Sequence, residues 1–161
     1  MKTENNLSKA NITPSIKTQY RNFPMVPRVI FGSGCFSQLG EILLPMRKSS
    51  EAPFIFLVDD FFENDGFVSR LPLMFNVEII FISADEEPKT AQVDALVVRI
   101  REKYTELPSG IIGIGGGTLL DLAKAVAILL NNNGLAEDYQ GWDLVNKPAL
   151  YHVGVPTISG T

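Results

Sequence analysis

The sequence predicts an α/β fold in which helices flank a parallel sheet. Several apolar runs are continuous rather than alternating, as is typical of strands buried on both faces of a parallel sheet. Segments with helical spacing separate these runs, as in right-handed β–α–β units. Together the two patterns predict alternating strands and helices around one core.

The strands follow from the apolar runs and their polar ends. The predicted strands of the sheet are residues 54–58, 77–82, 110–114 and 150–155. A shorter apolar run at residues 29–31 predicts an earlier strand, and the glycines at residues 32–34 predict a tight turn after it.

The helices follow from apolar spacing. Periods of three and four residues predict helices over residues 36–43, 61–71, 89–104 and 118–131. Residues 133–149, which contain Tyr139 and Trp142, are predicted to be a loop. Residues 1–24 are polar and without periodicity, so we expect a loose arm there and a folded domain over residues 25–161.

Composition excludes several classes of protein. The chain has 161 residues, 45% hydrophobic content and a net charge of −4, which indicates a globular protein and not a nucleic-acid-binding one. The longest apolar stretch, residues 125–130, is too short to cross a membrane, and the polar start does not resemble a signal peptide. The lack of these two features, together with the single cysteine, Cys35, predicts a cytoplasmic protein. Since the chain ends just after a strand, we expect it to be part of a longer polypeptide.

The most informative segment is the run of three glycines, Gly115, Gly116 and Gly117, between an apolar strand and a helix pattern. Glycines let a ligand approach the backbone closely, and the helix presents free N–H groups and the positive end of its dipole. This combination predicts an anion site, typically for a nucleotide phosphate. The spacing matches neither the Gly-x-Gly-x-x-Gly fingerprint nor a P-loop.

Two pairs of polar residues near this segment have alternative interpretations. Thr118 and Asp121 are spaced as a capping box, or they contact a phosphate and a ligand hydroxyl. Asp59 and Asp60 end a strand, where a carboxylate either caps the next turn or accepts hydrogen bonds from a ribose.

The remaining reactive side chains favour structural roles. His152 is the only histidine and lies within an apolar strand, which is more typical of a packed side chain than of a catalytic one. We expect Cys35 to be structural and Lys124 to be a solvated helix residue.

Four motifs resemble those of the iron-containing (group III) alcohol dehydrogenases. Residues 115–124 resemble the family's Gly-Gly-Gly-Ser-x-x-Asp-x-Ala-Lys signature, and residues 156–161 resemble the start of its Pro-Thr-Thr-Ala-Gly-Thr-Gly-Ser-Glu motif. Residues 27–34 and 57–60 are similar to its first two strands. The resemblance covers about residues 26–161.

The resemblance implies a Rossmann-like domain, shared with dehydroquinate synthase, that binds NAD or NADP. It also implies an all-helical domain holding a divalent metal, iron or zinc, whose Asp and three His ligands would lie beyond residue 161, with no metal ligand in this chain. In the family the metal polarises the substrate oxygen during hydride transfer to nicotinamide. The chain alone would then be inactive.

By the same resemblance, individual residues receive cofactor roles. Asp60 would contact the ribose, and Asp121 would lie near the nicotinamide and substrate as the candidate catalytic residue. The residues implied in contacts with the pyrophosphate and nucleotide are Gly115, Gly116, Gly117, Thr118, Thr157 and Thr161.

The chain departs from the family motifs at several positions. Thr118 replaces Ser and keeps the hydroxyl, whereas Ile158 and Ser159 replace Thr and Ala. Residues 87–90 read Glu-Pro-Lys-Thr where many members have Glu-Pro-Asn-Pro-Thr.

The resemblance also suggests a substrate and an oligomeric state. The substrate would be a small alcohol or sugar acid; the overall resemblance suggests the branch that oxidises C8 of 3-deoxy-D-manno-octulosonate in lipopolysaccharide biosynthesis. A homodimer could form by pairing of the strand predicted at residues 28–31.

Two alternatives remain at this point. A lyase like dehydroquinate synthase shares the nucleotide domain, but it continues Asp-x-Ala-Gly-Phe where this chain has Lys124 after Ala123. The other alternative is a non-catalytic nucleotide-binding module.

Overall fold

A computed structural model describes residues 26–83 and 87–158 of the protein. Contacts within the chain divide it after Gly32. Among the described residues, every helix and strand lies after this boundary. The arm expected at residues 1–24 lies outside the described residues.

The described part contains one sheet of four parallel strands. These are β1 (Phe54–Asp59), β2 (Val77–Ile82), β3 (Gly110–Gly115) and β4 (His152–Pro156), in the order β2-β1-β3-β4. The central strand β3 is buried along its whole length, and β1 is buried up to its last residue. The structure therefore confirms the α/β fold predicted from continuous apolar runs.

Helices cover both faces of this sheet. On one face lie α2 (Thr90–Lys103) and α3 (Gly117–Asn131), whose apolar sides pack on alternate residues of the strands. The short helix α1 (Leu39–Leu43) packs on the other face together with the residues that connect β1 to β2. None of the helices in the described ranges has the length and apolar character needed to span a membrane.

The helix predicted at residues 61–71 is wrong. Two short 3-10 turns, Asp60–Phe62 and Phe67–Arg70, stand in its place. Gly66, between them, has a φ of 77°, and the Asp65 carboxylate accepts a hydrogen bond from the Phe67 N–H at 2.7 Å. This local turn competes with helical hydrogen bonding, so the apolar spacing is kept without an α-helix.

The strand predicted at residues 29–31 is wrong: these residues are described, and they do not form a strand. Val29 and Phe31 are 78% and 98% exposed. Apolar residues favour a strand only where a neighbouring strand pairs with them, and the four-stranded sheet does not include this segment. The tight turn after it is confirmed, with φ values of 147° at Gly32 and 77° at Gly34.

A buried carboxylate joins β2 to α2. Glu78 lies 3.0 Å from both the Arg99 Nη2 and the Lys103 Nζ. Burial by itself raises the pKa of Glu78, but hydrogen bonds from Tyr104, Lys103 and Arg99 outweigh it and hold the pKa below its usual value. The carboxylate is therefore kept ionised, and it fixes α2 on the edge strand.

Candidate functional site

The chain changes from one side of the sheet to the other between β1 and β3. After β1, the connection to β2 packs on the face that carries α1. After β3, the chain enters α3 on the opposite face. At such a switch point, ligands of open α/β sheets bind outside the carboxyl ends of the two strands. We call residues 59–60 and 115–118, which lie there, the carboxyl-end crevice.

Gly115 ends β3 and is closed in by packing. A Cβ at this position would lie 3.0 Å from the Leu119 Cδ2 and 3.3 Å from the Asp59 Cβ. Its carbonyl oxygen accepts a hydrogen bond from the Thr157 N–H at 3.0 Å. Gly115 therefore allows the helix and the neighbouring strands to approach each other closely.

Gly116 and Gly117 begin α3. Gly116 is the N-cap, with φ −75° and ψ −178°, and its carbonyl oxygen accepts hydrogen bonds from the N–H groups of Leu119 and Leu120, both at 3.1 Å. No side chain of the described residues caps this N-terminal end of the helix. A Cβ at Gly117 would have no described neighbour within 4 Å. Among the residues that the structure describes, nothing caps the N-terminus of α3 or fills the space beside Gly117.

The capping-box interpretation of Thr118 and Asp121 is wrong. α3 begins at Gly117, so Thr118 lies inside the first turn and is not the N-cap. The Asp121 carboxylate instead accepts a hydrogen bond from the Lys124 Nζ at 2.9 Å, and its side chain is 68% exposed. Neither Thr118 nor Asp121 closes the end of the helix.

The two acids after β1 have different environments. The Asp59 carboxylate accepts a hydrogen bond from the Phe61 N–H at 3.1 Å and caps the following turn. Asp60 is exposed. The capping alternative thus applies to Asp59, while Asp60 remains on the surface of the carboxyl-end crevice.

The end of β4 comes close to the glycines. Thr157 is exposed and hydrogen-bonded through its N–H to Gly115, as described above. The Ile158 Cδ1 lies 3.4 Å from the position that a Cβ on Gly116 would occupy. Thr161, which the resemblance implies in the same site, lies outside the described residues.

Two side chains expected to be structural lie away from the carboxyl-end crevice in sequence. His152 is exposed on the edge strand β4, so the expectation that it is packed is wrong. Among the described strands β4 pairs with β3 alone, and along β4 exposed residues alternate with half-buried ones. Cys35 is partly buried at the first residue of a 3-10 turn.

Comparison with known proteins decides between the families compatible with this geometry. The family profile described as iron-containing alcohol dehydrogenase matches residues 26–161. The chain belongs to this family.

Individual relatives agree with this assignment. The NAD-dependent methanol dehydrogenase of Bacillus methanolicus is 27% identical over 144 residues, which are 87% of this chain and 36% of the relative. Sulfoacetaldehyde reductase of Bilophila wadsworthia is 49% identical over 51 residues, or 32% of this chain and 13% of the relative. The chain thus spans about a third or less of the curated relatives' length.

Solved structures of iron-containing alcohol dehydrogenases and their relatives share the fold. The crystal structure of sulfoacetaldehyde reductase from Bifidobacterium kashiwanohense in complex with NAD+ superposes with a TM-score of 0.65 and 26% identity, covering 81% of this chain and 34% of that one. The structure of a 1,3-propanediol oxidoreductase superposes with a TM-score of 0.63, 24% identity and coverage of 81% and 34%.

The described residues of this family member do not provide a metal site. No group of three or more His, Cys, Asp or Glu side chains within residues 26–83 and 87–158 is arranged to hold a metal ion. The chain also contains a single histidine. Residues 26–83 and 87–158 therefore do not fit the metal after which the family is named.

One residue of the site region was missed by the sequence analysis. Gly113 lies in the middle of β3, and a Cβ there would lie only 2.7 Å from the Ala123 Cβ on α3. A glycine inside a buried apolar strand is itself a signal of close backbone approach, and it could have indicated this contact.

Proposed function

We propose that this chain is the nucleotide-binding part of an NAD-dependent alcohol dehydrogenase. The observation that carries the proposal is the uncapped and sterically open N-terminus of α3 at the topological switch point. Unpaired N–H groups and the helix dipole attract an anion there, and a pyrophosphate matches the charge that this end of a helix binds.

In this proposal, the three glycines and Thr118 have separate tasks. Gly117 leaves open space where a phosphate oxygen approaches the first turn of α3. Gly116 has a φ that any residue can adopt, so backbone strain does not require a glycine here. The missing side chain instead gives the phosphate access to the backbone. The Thr118 hydroxyl donates to a phosphate oxygen. Gly115 supports the turn through its packing against Leu119.

Asp60 accepts hydrogen bonds from the adenosine ribose. Its exposed carboxylate follows the strand next to β3, so that it borders the same crevice as the helix N-terminus. The turns after β1, residues 59–70, contain four acids, Asp59, Asp60, Glu63 and Asp65, and one base, Arg70, whose guanidinium lies over the Phe36 and Phe67 rings. This acidic surface repels a 2′-phosphate, which favours NAD over NADP.

The remaining cofactor contacts come from α3 and the end of β4. Asp121 lies on the first turns of α3 and faces the nicotinamide and substrate in this proposal, with Lys124 holding its carboxylate in place at 2.9 Å. Thr157 and Thr161 contact the nucleotide. When bound, the nicotinamide would supply the hydride chemistry.

The metal and the substrate are assigned to the complete gene product. A divalent metal, iron or zinc, would be held by residues outside the described ones, and elemental analysis of the purified product identifies it. We propose that the substrate is a primary alcohol. Methanol, named for one relative, is of this class, and so is C8 of 3-deoxy-D-manno-octulosonate, the alcohol suggested by sequence. Oxidation rates for these two alcohols, followed as NADH formation, distinguish them.

We also propose that the gene product is a cytoplasmic homodimer. Val29, Ile30 and Phe31 expose apolar side chains that strand pairing between two copies would cover. Sedimentation analysis measures the oligomeric state, and cell fractionation locates the protein. A monomer at all concentrations would contradict the dimer.

The proposed function is tested by Gly117→Ala in the complete gene product. The added methyl enters open space, and alanine is the better helix former, so the melting temperature should not fall. The Kd for NAD+, measured by calorimetry, should nevertheless rise about tenfold because the methyl occupies the phosphate position.

A matched control is Gly40→Ala, a helical glycine of α1 whose new Cβ would make ordinary contacts with the Met74 Cε and Pro72 Cβ at 3.5 Å and the Met74 Sδ at 3.8 Å. This variant should bind NAD+ as the wild type does. An unchanged Kd in Gly117→Ala, with the wild type binding NAD+, would reject the phosphate position.

A further inference from the structure

The contact between the middle of β3 and α3 is unusually close. A Cβ on Gly113 would lie 2.7 Å from the Ala123 Cβ, 3.4 Å from the Leu119 carbonyl oxygen and 3.6 Å from the Leu120 Cα. Real Cβ atoms essentially never approach a heavy atom closer than 3.0 Å. The backbone of β3 therefore touches α3 directly, and even one methyl group at Gly113 requires the helix to move.

The close contact is specific to this strand. α3 also packs on the neighbouring strand β4, where a Cβ on Gly154 would lie 3.5 Å from the Leu120 Cδ2. That distance is an ordinary van der Waals contact, and the atom concerned is the end of a flexible side chain. Gly113 and Ala123, in contrast, face each other with rigid atoms.

The position of this contact connects it to the carboxyl-end crevice. Ala123 is six residues after Gly117, which is about 9 Å along a helix axis at 1.5 Å per residue. A helix transmits a displacement along its axis because its hydrogen-bonded turns and packed side chains deform little. Hydrogen bonds to a phosphate lose strength steeply when donor and acceptor separate by a few tenths of an ångström.

We propose that Gly113 and Ala123 are positioning residues for the nucleotide. Their contact sets the depth at which α3 lies on β3, and thereby the place at which the N-terminal N–H groups of α3 meet the pyrophosphate. Neither residue touches the nucleotide. This inference rests on the proposed function, since it concerns how the same site is held in place.

The test uses the complete gene product and three variants: Gly113→Ala, Ala123→Gly and the double variant. Calorimetry with NAD+ gives the Kd, and thermal unfolding gives the melting temperature. Gly113→Ala should raise the Kd about tenfold, as expected from a small misplacement of binding groups. The double variant restores the total volume at the contact, so its Kd should return to within about threefold of the wild-type value.

Stability provides a readout that separates positioning from general damage. Ala123→Gly places a glycine in a helix interior, so it lowers the melting temperature by itself. In the double variant the melting temperature should therefore stay below that of the wild type while affinity recovers. Gly154→Ala is the matched control, and it should change the Kd by less than about twofold because its new methyl meets only ordinary contacts.

The outcomes distinguish this inference from the proposed function. If the wild type does not bind NAD+, both are rejected. If the wild type binds and Gly113→Ala has the same Kd, or the double variant does not recover, only the positioning role is rejected. Should Gly113→Ala fail to fold, Ala123→Ser adds one atom to the same contact from the helix side and should raise the Kd in the same direction.

Discussion

The two ends of α3 differ in whether side chains are hydrogen-bonded to their terminal backbone groups. At the C-terminal end, the Arg101 Nη2 donates hydrogen bonds to the carbonyl oxygens of Leu129 at 2.9 Å and Asn132 at 3.0 Å. The Asn132 side chain donates to the Ile128 carbonyl oxygen at 2.8 Å. At the N-terminal end, no side chain of the described residues accepts from the backbone N–H groups, and the cap is Gly116.

This difference shows where the fold leaves hydrogen-bonding capacity for a ligand. Each end of an α-helix has unpaired backbone groups that need partners. Side chains of α2 and of the chain after α3 supply them at one end, which makes that end part of the stable scaffold. The other end opens into the carboxyl-end crevice, where a bound anion can supply them instead.

Gly116→Val should produce the largest change, and it acts on the open end. The branched side chain would project beside Ile158, whose Cδ1 is 3.4 Å from the new Cβ, and into the space proposed for the pyrophosphate. We expect the Kd for NAD+ to rise about 100-fold, the size of a gross misplacement of binding groups. Calorimetry measures the Kd, and an unchanged value would contradict the proposal that the N-terminal end of α3 binds the pyrophosphate.

Arg101→Ala should have the next largest effect, and it acts on the closed end. Loss of the charged hydrogen bonds to the α3 carbonyl oxygens should lower the free energy of unfolding by about 1–2 kcal/mol, measured by urea denaturation. Arg101→Lys should recover part of it because it keeps a cation near the helix C-terminus. The Kd for NAD+ should stay within about twofold of the wild-type value, since Arg101 is at the far end of the helix.

Asp60→Ala tests the ribose contact and should have a smaller effect. We expect the Kd for NAD+ to rise about tenfold, since one charged hydrogen-bonding partner is lost, and the Kd for NADP+ to change less. Glu63→Ala is a control for charge alone, because Glu63 is an exposed acid in the following turn. Equal losses for both nucleotides in Asp60→Ala would count against the contact.

The smallest expected effect concerns the pH dependence of the scaffold at Glu78. Because its pKa in the folded protein is lowered from 4.5, Glu78 contributes stability above that value and loses it as the pH falls through the folded pKa. The free energy of unfolding should therefore decrease below about pH 4.5, by at most about 1.4 kcal/mol per pH unit for this one group.

Urea denaturation at several pH values measures this dependence. Glu78→Gln, which cannot be ionised, should have a shallower decrease over the same range. An identical slope in the variant and the wild type would show that Glu78 is not responsible.

Most of the fold could be predicted from local patterns. The continuous apolar runs predicted all four strands of the sheet, with every boundary within two residues of the observed one, because burial on both faces demands such runs. The helices at Thr90–Lys103 and Gly117–Asn131 were predicted equally well from their spacing. The helix predicted at residues 61–71 was wrong because a local turn at Gly66 outweighed the apolar spacing. The strand predicted at residues 29–31 was wrong because no described strand pairs with it.

The arrangement of the candidate site was predicted in part. Its location followed from glycines and acids at predicted strand ends, and the structure brings residues 59–60 and 115–118 together between neighbouring strands. The separate environments of Gly115, Gly116 and Gly117 could not be predicted, because each depends on which side chains come near from other elements. The capping box failed for a different reason: its spacing was present, but the N-cap of α3 is Gly116, two residues before Thr118.

By itself, the sequence determined the α/β class, the positions of strands and long helices, and the resemblance to the iron-containing alcohol dehydrogenases. These depend on residue order along short segments, which apolar periodicity and motifs record directly. Only the tertiary structure decided that Asp59 caps a turn while Asp60 stays exposed, and that Gly113 meets Ala123. Such distances are set by how α3 packs on β3, and packing joins residues that no local pattern relates.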